Sequence, residues 1–218
     1  MRKRSFSLVR VRTRPGGRSR GILLAGPLAV MVVLGRGGVR ANKIEGDGAT
    51  PRGRFCPLRL WWRADRYLRP RTMLAVRRIT CDLAWCEDTA DRRYNRPFRR
   101  TEAEPGDRLW RDDRLYDFVI EIDHNARPRV RRRGSAVFFH VARADRSPTA
   151  GCVALRAPDL QLGAPRPKNE DRDRGVAKKP GNPRSFGLAI GGWDLVSRVG
   201  RRSRFLPAHG WRRARWPW

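Results

Sequence analysis

Two apolar stretches constrain the fold most, because each has the length and composition of a single β-strand. Residues 115–122 and residues 136–142 are rich in aromatic and β-branched side chains, and the turn-like segment 125–134 separates them. Residues 7–13 and residues 22–34 predict further strands, the latter with a bend at its Gly-Pro step. These stretches predict a core built from strands.

A histidine and a cysteine follow each other closely at the end of the second stretch. His140 lies twelve residues before Cys152, which ends the turn Thr149-Ala150-Gly151-Cys152. A nearby imidazole can accept the thiol proton or, as imidazolium, lower the pKa of the thiol. Gly151 permits a sharp turn, so that the backbone N–H groups of Gly151 and Cys152 can face an oxyanion. We predict a reactive, low-pKa Cys152 with His140 as its base; the alternative is a buried histidine beside a buried thiol.

These residues resemble the L,D-transpeptidase catalytic domain (YkuD-like) family, whose signature is a histidine ending one strand and a Ser/Thr-x-Gly-Cys turn entering the next. An upstream segment, Thr50-Pro51-Arg52-Gly53-Arg54-Phe55, is similar to the Thr-Pro-x-Gly-x-Phe segment of that family. Further segments resemble one branch of the family in the order expected there: residues 85–88, 94–97, 115–118, 123–125 and 133–136. The resemblance covers residues 7–162, which we expect to form the catalytic domain.

The resemblance implies a mainly β, sandwich-like L,D-transpeptidase catalytic domain with few helices. It implies a cysteine acyltransferase that forms a thioester on peptidoglycan stem peptides, for cell-wall cross-linking or remodelling, without a metal or organic cofactor. Cys152 and His140 would be catalytic, and Gly151 and Thr149 would form the oxyanion turn. The resemblance also implies a cell-envelope (periplasmic) location; a cytoplasmic location is the alternative, because the sequence shows no convincing signal peptide.

Three further residues are candidates for substrate binding. His124 follows a predicted strand, and the alternative for it is a structural histidine. Tyr116 shares a strand face with apolar neighbours, so a place in the core is the alternative there. Ala154 stands where the commoner family pattern has an arginine, and Arg156 would point to the same face if the strand continued that far.

The chain is strongly basic, which leaves a second class of function open. It has 50 Lys and Arg against 21 Asp and Glu, a formal net charge of +29. Such a charge predicts attraction to a nucleic acid, an acidic lipid surface or an anionic cell wall. No zinc-finger spacing, RNP-like strand or basic zipper accompanies the arginine clusters, so solvated basic loops explain much of the charge. A basic nucleic-acid-binding protein is the alternative function. Cys81 and Cys86 have the spacing of a metal pair, yet no second pair completes a tetrahedral site; a disulfide between them is the other option.

The two ends of the chain are less typical of the family. Residues 21–34 imitate the apolar part of a signal peptide, but no small-x-small cleavage site follows promptly, and two strands are the preferred interpretation. After residue 160 the expected Leu-rich helix is replaced by a Pro/Gly-rich basic stretch, so we expect residues 163–218 to form a disordered tail. The tail could bind an anionic wall or membrane surface. A frameshift would also explain it and would make the protein an inactive remnant.

Overall fold

The fold is built from short strands around one long sheet. The computed structural model describes residues 8–160 and residues 187–190. The strands are β1 (Leu8–Arg14), β2 (Gly17–Ala25), β3 (Leu28–Val33), β4 (Val39–Arg40), β5 (Thr50–Pro51), β6 (Gly53–Phe55), β7 (Pro57–Trp62), β8 (Ala75–Arg78), β9 (Leu83–Trp85), β10 (Pro97–Arg99), β11 (Asp107–Arg108), β12 (Phe118–Ile122), β13 (Phe138–Val141), β14 (Val153–Leu155) and β15 (Gly187–Ile190), and one helical turn forms α1 (Ala157–Leu160). The prediction of a mainly β fold is confirmed.

The main sheet has ten strands in the order β6-β15-β1-β2-β3-β14-β13-β12-β7-β8. The pairs from β1 to β3 are antiparallel, whereas β13 and β14 run parallel. The predicted strand over residues 22–34 is in fact a hairpin, in which Ala25 pairs with Leu28. The intervening Gly26 has a φ of +56°. That conformation suits glycine and lets the chain reverse direction within two residues.

Apolar side chains cover both faces of this sheet and form two cores. The first core joins strands that are distant in the sheet, since Val11 of β1 and Trp62 of β7 belong to one cluster. The second core lies on the opposite face and contains Trp61, Phe138 and Cys152. Side chains alternate between the faces of a strand, so neighbours such as Trp61 and Trp62 enter different cores. The sheet therefore carries Cys152 on its second face.

The segment between β7 and β12 is more ordered than the sequence predicts. Residues 64–114 are rich in Arg, Asp and Pro and show little periodicity, yet β8 extends the main sheet and β10-β9-β11 form a small sheet. Leu83 and Trp85 of β9 pack into the second core. The indole N–H of Trp85 donates to Asn95 Oδ1 at 3.0 Å, which satisfies its buried polar group. Strands of two or three residues are too short to show a periodic pattern, which explains why the sequence hides them.

The C-terminal part of the described chain contains two short elements. Ala157–Leu160 form one helical turn, with Pro158 near its start as suits a helix N-terminus, and Leu160 is buried in the first core. β15 lies within the stretch expected to be a disordered tail and pairs in parallel with β1 and antiparallel with β6. The rest of that stretch lies outside the described residues, and disorder of the tail stays a prediction. Within the described part of the chain, no helix has the length and apolar character needed to cross a bilayer.

Candidate active site

The thiol lies at the entrance to β14, beside the strand that carries His140. In the parallel pair of β13 and β14, Phe139 is opposite Val153 and His140 is opposite Ala154. Alternate residues share a face, so His140 and Cys152 both belong to the second face of the sheet. The strand pairing thus brings the two predicted catalytic residues to one region of that face.

The turn before Cys152 is held by the side chain of Thr149. Thr149 Oγ1 accepts a hydrogen bond from the Gly151 amide at 3.2 Å and donates one to the Cys152 carbonyl at 2.7 Å. The Thr149 amide donates to the Leu34 carbonyl at 3.0 Å, which ties the turn to the end of β3. A serine or threonine is well suited to this position because a hydroxyl can both donate and accept.

Gly151 occupies a position where only glycine fits. Its φ is +146°, and a Cβ there would lie 2.9 Å from the Ala49 carbonyl oxygen and 3.3 Å from Lys43 Nζ. The left-handed backbone and the close carbonyl both exclude a side chain. The Thr-x-Gly-Cys pattern is therefore explained by the local geometry.

Cys152 is buried as a neutral thiol. The residue is 8% exposed, its Sγ donates to the Ala136 carbonyl at 3.1 Å, and the Phe138 amide donates to Sγ at 3.3 Å. Burial raises the pKa of Cys152 to about 12, against the smaller favourable effect of the Phe138 N–H. The expected low-pKa thiol is therefore wrong for this conformation, because the sulfur is shielded from water.

His140 is also buried and neutral. It is 7% exposed, and burial lowers the pKa of its imidazole to about 4. Its Nδ1 lies 2.8 Å from the Val141 carbonyl oxygen, which requires a proton on Nδ1 and leaves the lone pair on Nε2. An imidazolium that lowers the thiol pKa is thus excluded near neutral pH, whereas a neutral base is retained. Among the described residues, no hydrogen bond joins His140 to Cys152.

Tyr116 contacts the imidazole rather than lying in a strand. β12 begins only at Phe118, so the predicted strand over residues 115–122 is shorter at its start. The Tyr116 and His140 rings meet edge to face, with centroids 5.3 Å apart. The Tyr116 hydroxyl donates to Asp107 Oδ2 at 2.8 Å, and burial raises the pKa of Tyr116 well above its ordinary value.

Arg156 lies outside the strand that holds Ala154. β14 ends at Leu155, and Arg156 lies at the start of the helical turn, where its Nε donates to Asp159 Oδ2 at 2.7 Å. Arg156 is exposed. The strand does not continue as far as Arg156, yet Arg156 and Ala154 line the same pocket. A role for Arg156 in substrate binding stays a prediction.

His124 lies near Lys43, since both side chains approach Gly134. Its Nε2 is 3.1 Å from the Arg133 carbonyl oxygen, and its ring packs edge to face against Phe55 with centroids 5.5 Å apart. Burial lowers the pKa of His124. A Cβ on Gly134 would lie 3.1 Å from His124 Nε2. These contacts favour a structural role for His124 over a role in substrate binding.

Sequence reasoning missed a group of charged residues around the thiol. Lys43 is 5% exposed and its Nζ donates to Asp47 Oδ1 at 2.8 Å. The Tyr94 hydroxyl donates to Glu45 in the same loop. The lysine four residues before an aspartate, in a Gly-rich loop that leads into the Thr-Pro segment, was the available signal.

Two further carboxylates act on the thiol from the small sheet. The charges of Asp107 and Glu87 both raise the pKa of Cys152. Glu87 is exposed at its surface. Desolvation by its surroundings is the largest cause that raises its pKa to about 7, and the charges of Asp107 and Glu45 add to it. Negative charge near the sulfur opposes ionisation, so the thiolate needs a compensating positive charge.

The four cysteines are all free, so the disulfide between Cys81 and Cys86 is absent. Cys56 and Cys81 are exposed, whereas Cys86 and Cys152 are buried. Within residues 8–160 and 187–190, no three potential ligands group in a way that could hold a metal ion.

Comparison with known families gives one match over most of the described chain. The model of the YkuD family, the L,D-transpeptidase catalytic domain, matches residues 18–162, which is more than half of the chain. The match includes His140 and the whole turn that ends at Cys152. Searches of curated proteins and of solved structures found no match.

Proposed function

Because the chain belongs to the L,D-transpeptidase catalytic domain family, we propose that it is a cysteine acyltransferase acting on peptidoglycan stem peptides. The family acts on peptidoglycan and is generally associated with the cell envelope. The observation that carries the proposal is the placement of Cys152, at the end of a glycine turn, on the sheet face that holds a neutral His140. The product would be a cell-wall cross-link or a remodelled stem peptide.

In the first half-reaction, Cys152 Sγ attacks the carbonyl between a diamino acid at the third stem position and the D-alanine that follows it. The new S–C bond forms as the sulfur proton passes to His140 Nε2. The C–N bond then breaks, and the same proton goes to the departing amine of D-alanine. Because the Val141 carbonyl holds Nδ1–H, the resting imidazole presents its lone pair at Nε2, which can accept and then return this proton.

In the second half-reaction, the amine of another stem attacks the thioester and loses its proton to His140. The C–N bond forms, the S–C bond breaks, and Cys152 recovers its proton. The oxyanion of each tetrahedral intermediate faces the Cys152 amide, since the Gly151 amide is already engaged by Thr149 Oγ1. Thr149 is therefore a positioning residue.

The protonation states favour proton transfer during the attack over a preformed ion pair. A thiol with a pKa near 12 and an imidazole with a pKa near 4 do not exchange a proton in the resting site. Binding of substrate must bring the thiol within reach of Nε2, since catalytic hydrogen bonds often tighten only in the substrate complex.

The proposal is tested by intact-mass spectrometry after incubation with a synthetic stem tetrapeptide ending in D-alanine. The wild-type protein is expected to gain the mass of the acylated tripeptide, and Cys152→Ala is expected to gain none. Cys86→Ala is the matched control, because it removes another buried free thiol and should still be acylated. An adduct on a different cysteine, or no adduct on folded wild-type protein, would contradict the proposal.

A further inference from the structure

A buried lysine lies directly beneath the turn that carries the thiol. Lys43 is 5% exposed, and its ammonium donates to Asp47 Oδ1 at 2.8 Å and to the Ile44 carbonyl at 3.4 Å. Buried lysines are rare unless they are paired. Although burial opposes ionisation of Asp47, hydrogen bonds from Lys43, Ala49 and Ile44 lower its pKa, so the Asp47 carboxylate stays ionised.

Two glycines make room for this lysine. A Cβ on Gly134 would lie 2.8 Å from Lys43 Cε, and a Cβ on Gly151 would lie 3.3 Å from Lys43 Nζ. Both glycines have positive φ values. The lysine stem therefore runs past Gly134 and ends with its ammonium against the residue that immediately precedes Cys152.

The thiol needs a positive charge that the histidine does not supply. His140 is neutral, and the carboxylates of Asp107 and Glu87 oppose ionisation of the sulfur. The groups that favour the anion are the Phe138 N–H and the Lys43 ammonium. The titratable and charged groups that face Cys152 are Lys43, Asp107, Glu87, Tyr116 and His140.

We propose that Lys43 is the fixed positive charge that stabilises the sulfur anion of Cys152 as the thiol loses its proton. This inference rests on the proposed function only in taking Cys152 as the nucleophile. Lys43 is a positioning residue in this account, because its charge acts on the sulfur from behind the turn. Asp47 holds the ammonium in place and partly offsets its charge.

The test is the pH dependence of alkylation at each cysteine of the full chain, measured with iodoacetamide and peptide mass spectrometry. Lys43→Met keeps an unbranched side chain, one atom shorter than that of lysine, and removes its charge. We expect it to raise the apparent pKa of Cys152 by about one unit or more, and so to slow alkylation about tenfold wherever thiolate is scarce. Tyr94→Phe is the matched control, because it loosens the same loop at Glu45 without a change of charge, and it should leave the Cys152 profile unchanged.

Cys86 reports whether the variants remain folded, since this buried thiol should stay slow to react while exposed Cys81 reacts freely. An unchanged Cys152 profile in Lys43→Met with Cys86 still protected would overturn the proposal. If Lys43→Met exposes Cys86, Asp47→Asn decides. It keeps a carbonyl oxygen for Lys43 and Ala49, removes the offsetting negative charge, and should lower the apparent pKa of Cys152. A raised or unchanged value there would overturn the proposal.

The two proposals can fail separately. If the wild-type protein forms no thioester with the stem tetrapeptide but Lys43→Met shifts the alkylation profile, the proposed function is wrong and the role of Lys43 stands. If the thioester forms and the profile of folded Lys43→Met does not move, the role of Lys43 is wrong and the proposed function stands.

Discussion

At the scale of single residues, burial decides the protonation states of both catalytic candidates. Cys152 and His140 are each less than a tenth exposed, and burial favours the uncharged form of each. A low-pKa thiol is the usual expectation for a cysteine beside a histidine, and composition alone offers no reason to revise it. The burial of the Cys152 sulfur depends on how the strands pair, so only the three-dimensional structure shows it.

The buried imidazole predicts a stability that depends on pH. The pKa of His140 is about 4 when folded and about 6.5 in an unfolded chain, so the unfolded state takes up this proton first as pH falls. The contribution of His140 is therefore complete above pH 6.5 and is lost as the pH falls toward 4. At about 1.4 kcal/mol per pH unit, the loss is about 3 kcal/mol.

Urea unfolding of the wild-type protein and of His140→Gln, measured from pH 7 to pH 4, checks this prediction. His124 remains in both proteins, so its own protonation cancels in the comparison. The wild-type free energy of unfolding should fall more steeply than that of His140→Gln. Equal slopes would show that the imidazole of His140 is solvated.

At the scale of elements, the turn between β13 and β14 depends on contacts between distant segments. Gly151 packs against the Ala49 carbonyl, the turn is tied to Leu34, and Lys43 lies beneath it. The sequence predicts the turn and its glycine, because the Thr-x-Gly-Cys pattern is local. It does not predict Lys43, because that role exists only where residues 43–47, Gly134 and Gly151 meet.

A side chain at Gly151 should damage both the fold and the site. Gly151→Ala places a Cβ 2.9 Å from the Ala49 carbonyl oxygen at a φ of +146°. We expect a loss of about 1–3 kcal/mol in the free energy of unfolding, as is typical of strain at such a backbone position, together with lost acylation. Gly46→Ala is the control, since Gly46 also has a positive φ of +76° but nothing lies within 4 Å of the new Cβ.

Chemical denaturation of the two variants separates two effects. Both variants have a side chain at a positive φ, but only Gly151→Ala brings a Cβ against the Ala49 carbonyl. Gly151→Ala should be clearly less stable than Gly46→Ala. Equal losses would mean that the turn can move away from Ala49 without cost, and that this close approach is not a constraint on the site.

The length of each element decided how well the sequence predicted it. Strands β12 and β13 fall within predicted apolar stretches, since four or five residues suffice to show strand composition. The two- and three-residue strands β9, β10 and β11 are not predictable in that way. Element ends are also hard to predict: β14 ends at Leu155, one residue before Arg156, whose guanidinium pairs with Asp159.

At the scale of the whole molecule, the described chain buries two apolar clusters, and Leu160 belongs to the first. The structure buries Cys86 and Cys152 while it exposes Cys56 and Cys81. Thiol labelling should therefore find two accessible and two protected cysteines, whereas an inactive remnant with an open core would expose all four alike. The net charge of +29 gives a general attraction to anionic surfaces, of which a cell wall is one.

The rate of Cys152 acylation by the stem tetrapeptide, measured from pH 6 to pH 9 in the wild-type protein and in His140→Ala, tests the account most directly. His140 is already neutral across this range, so the wild-type rate should be nearly flat. His140→Ala must rely on thiolate, whose concentration rises about tenfold per pH unit below the thiol pKa, so its deficit should shrink by about that factor with each unit. Parallel profiles with one constant deficit would contradict the assignment of His140 as the base for Cys152.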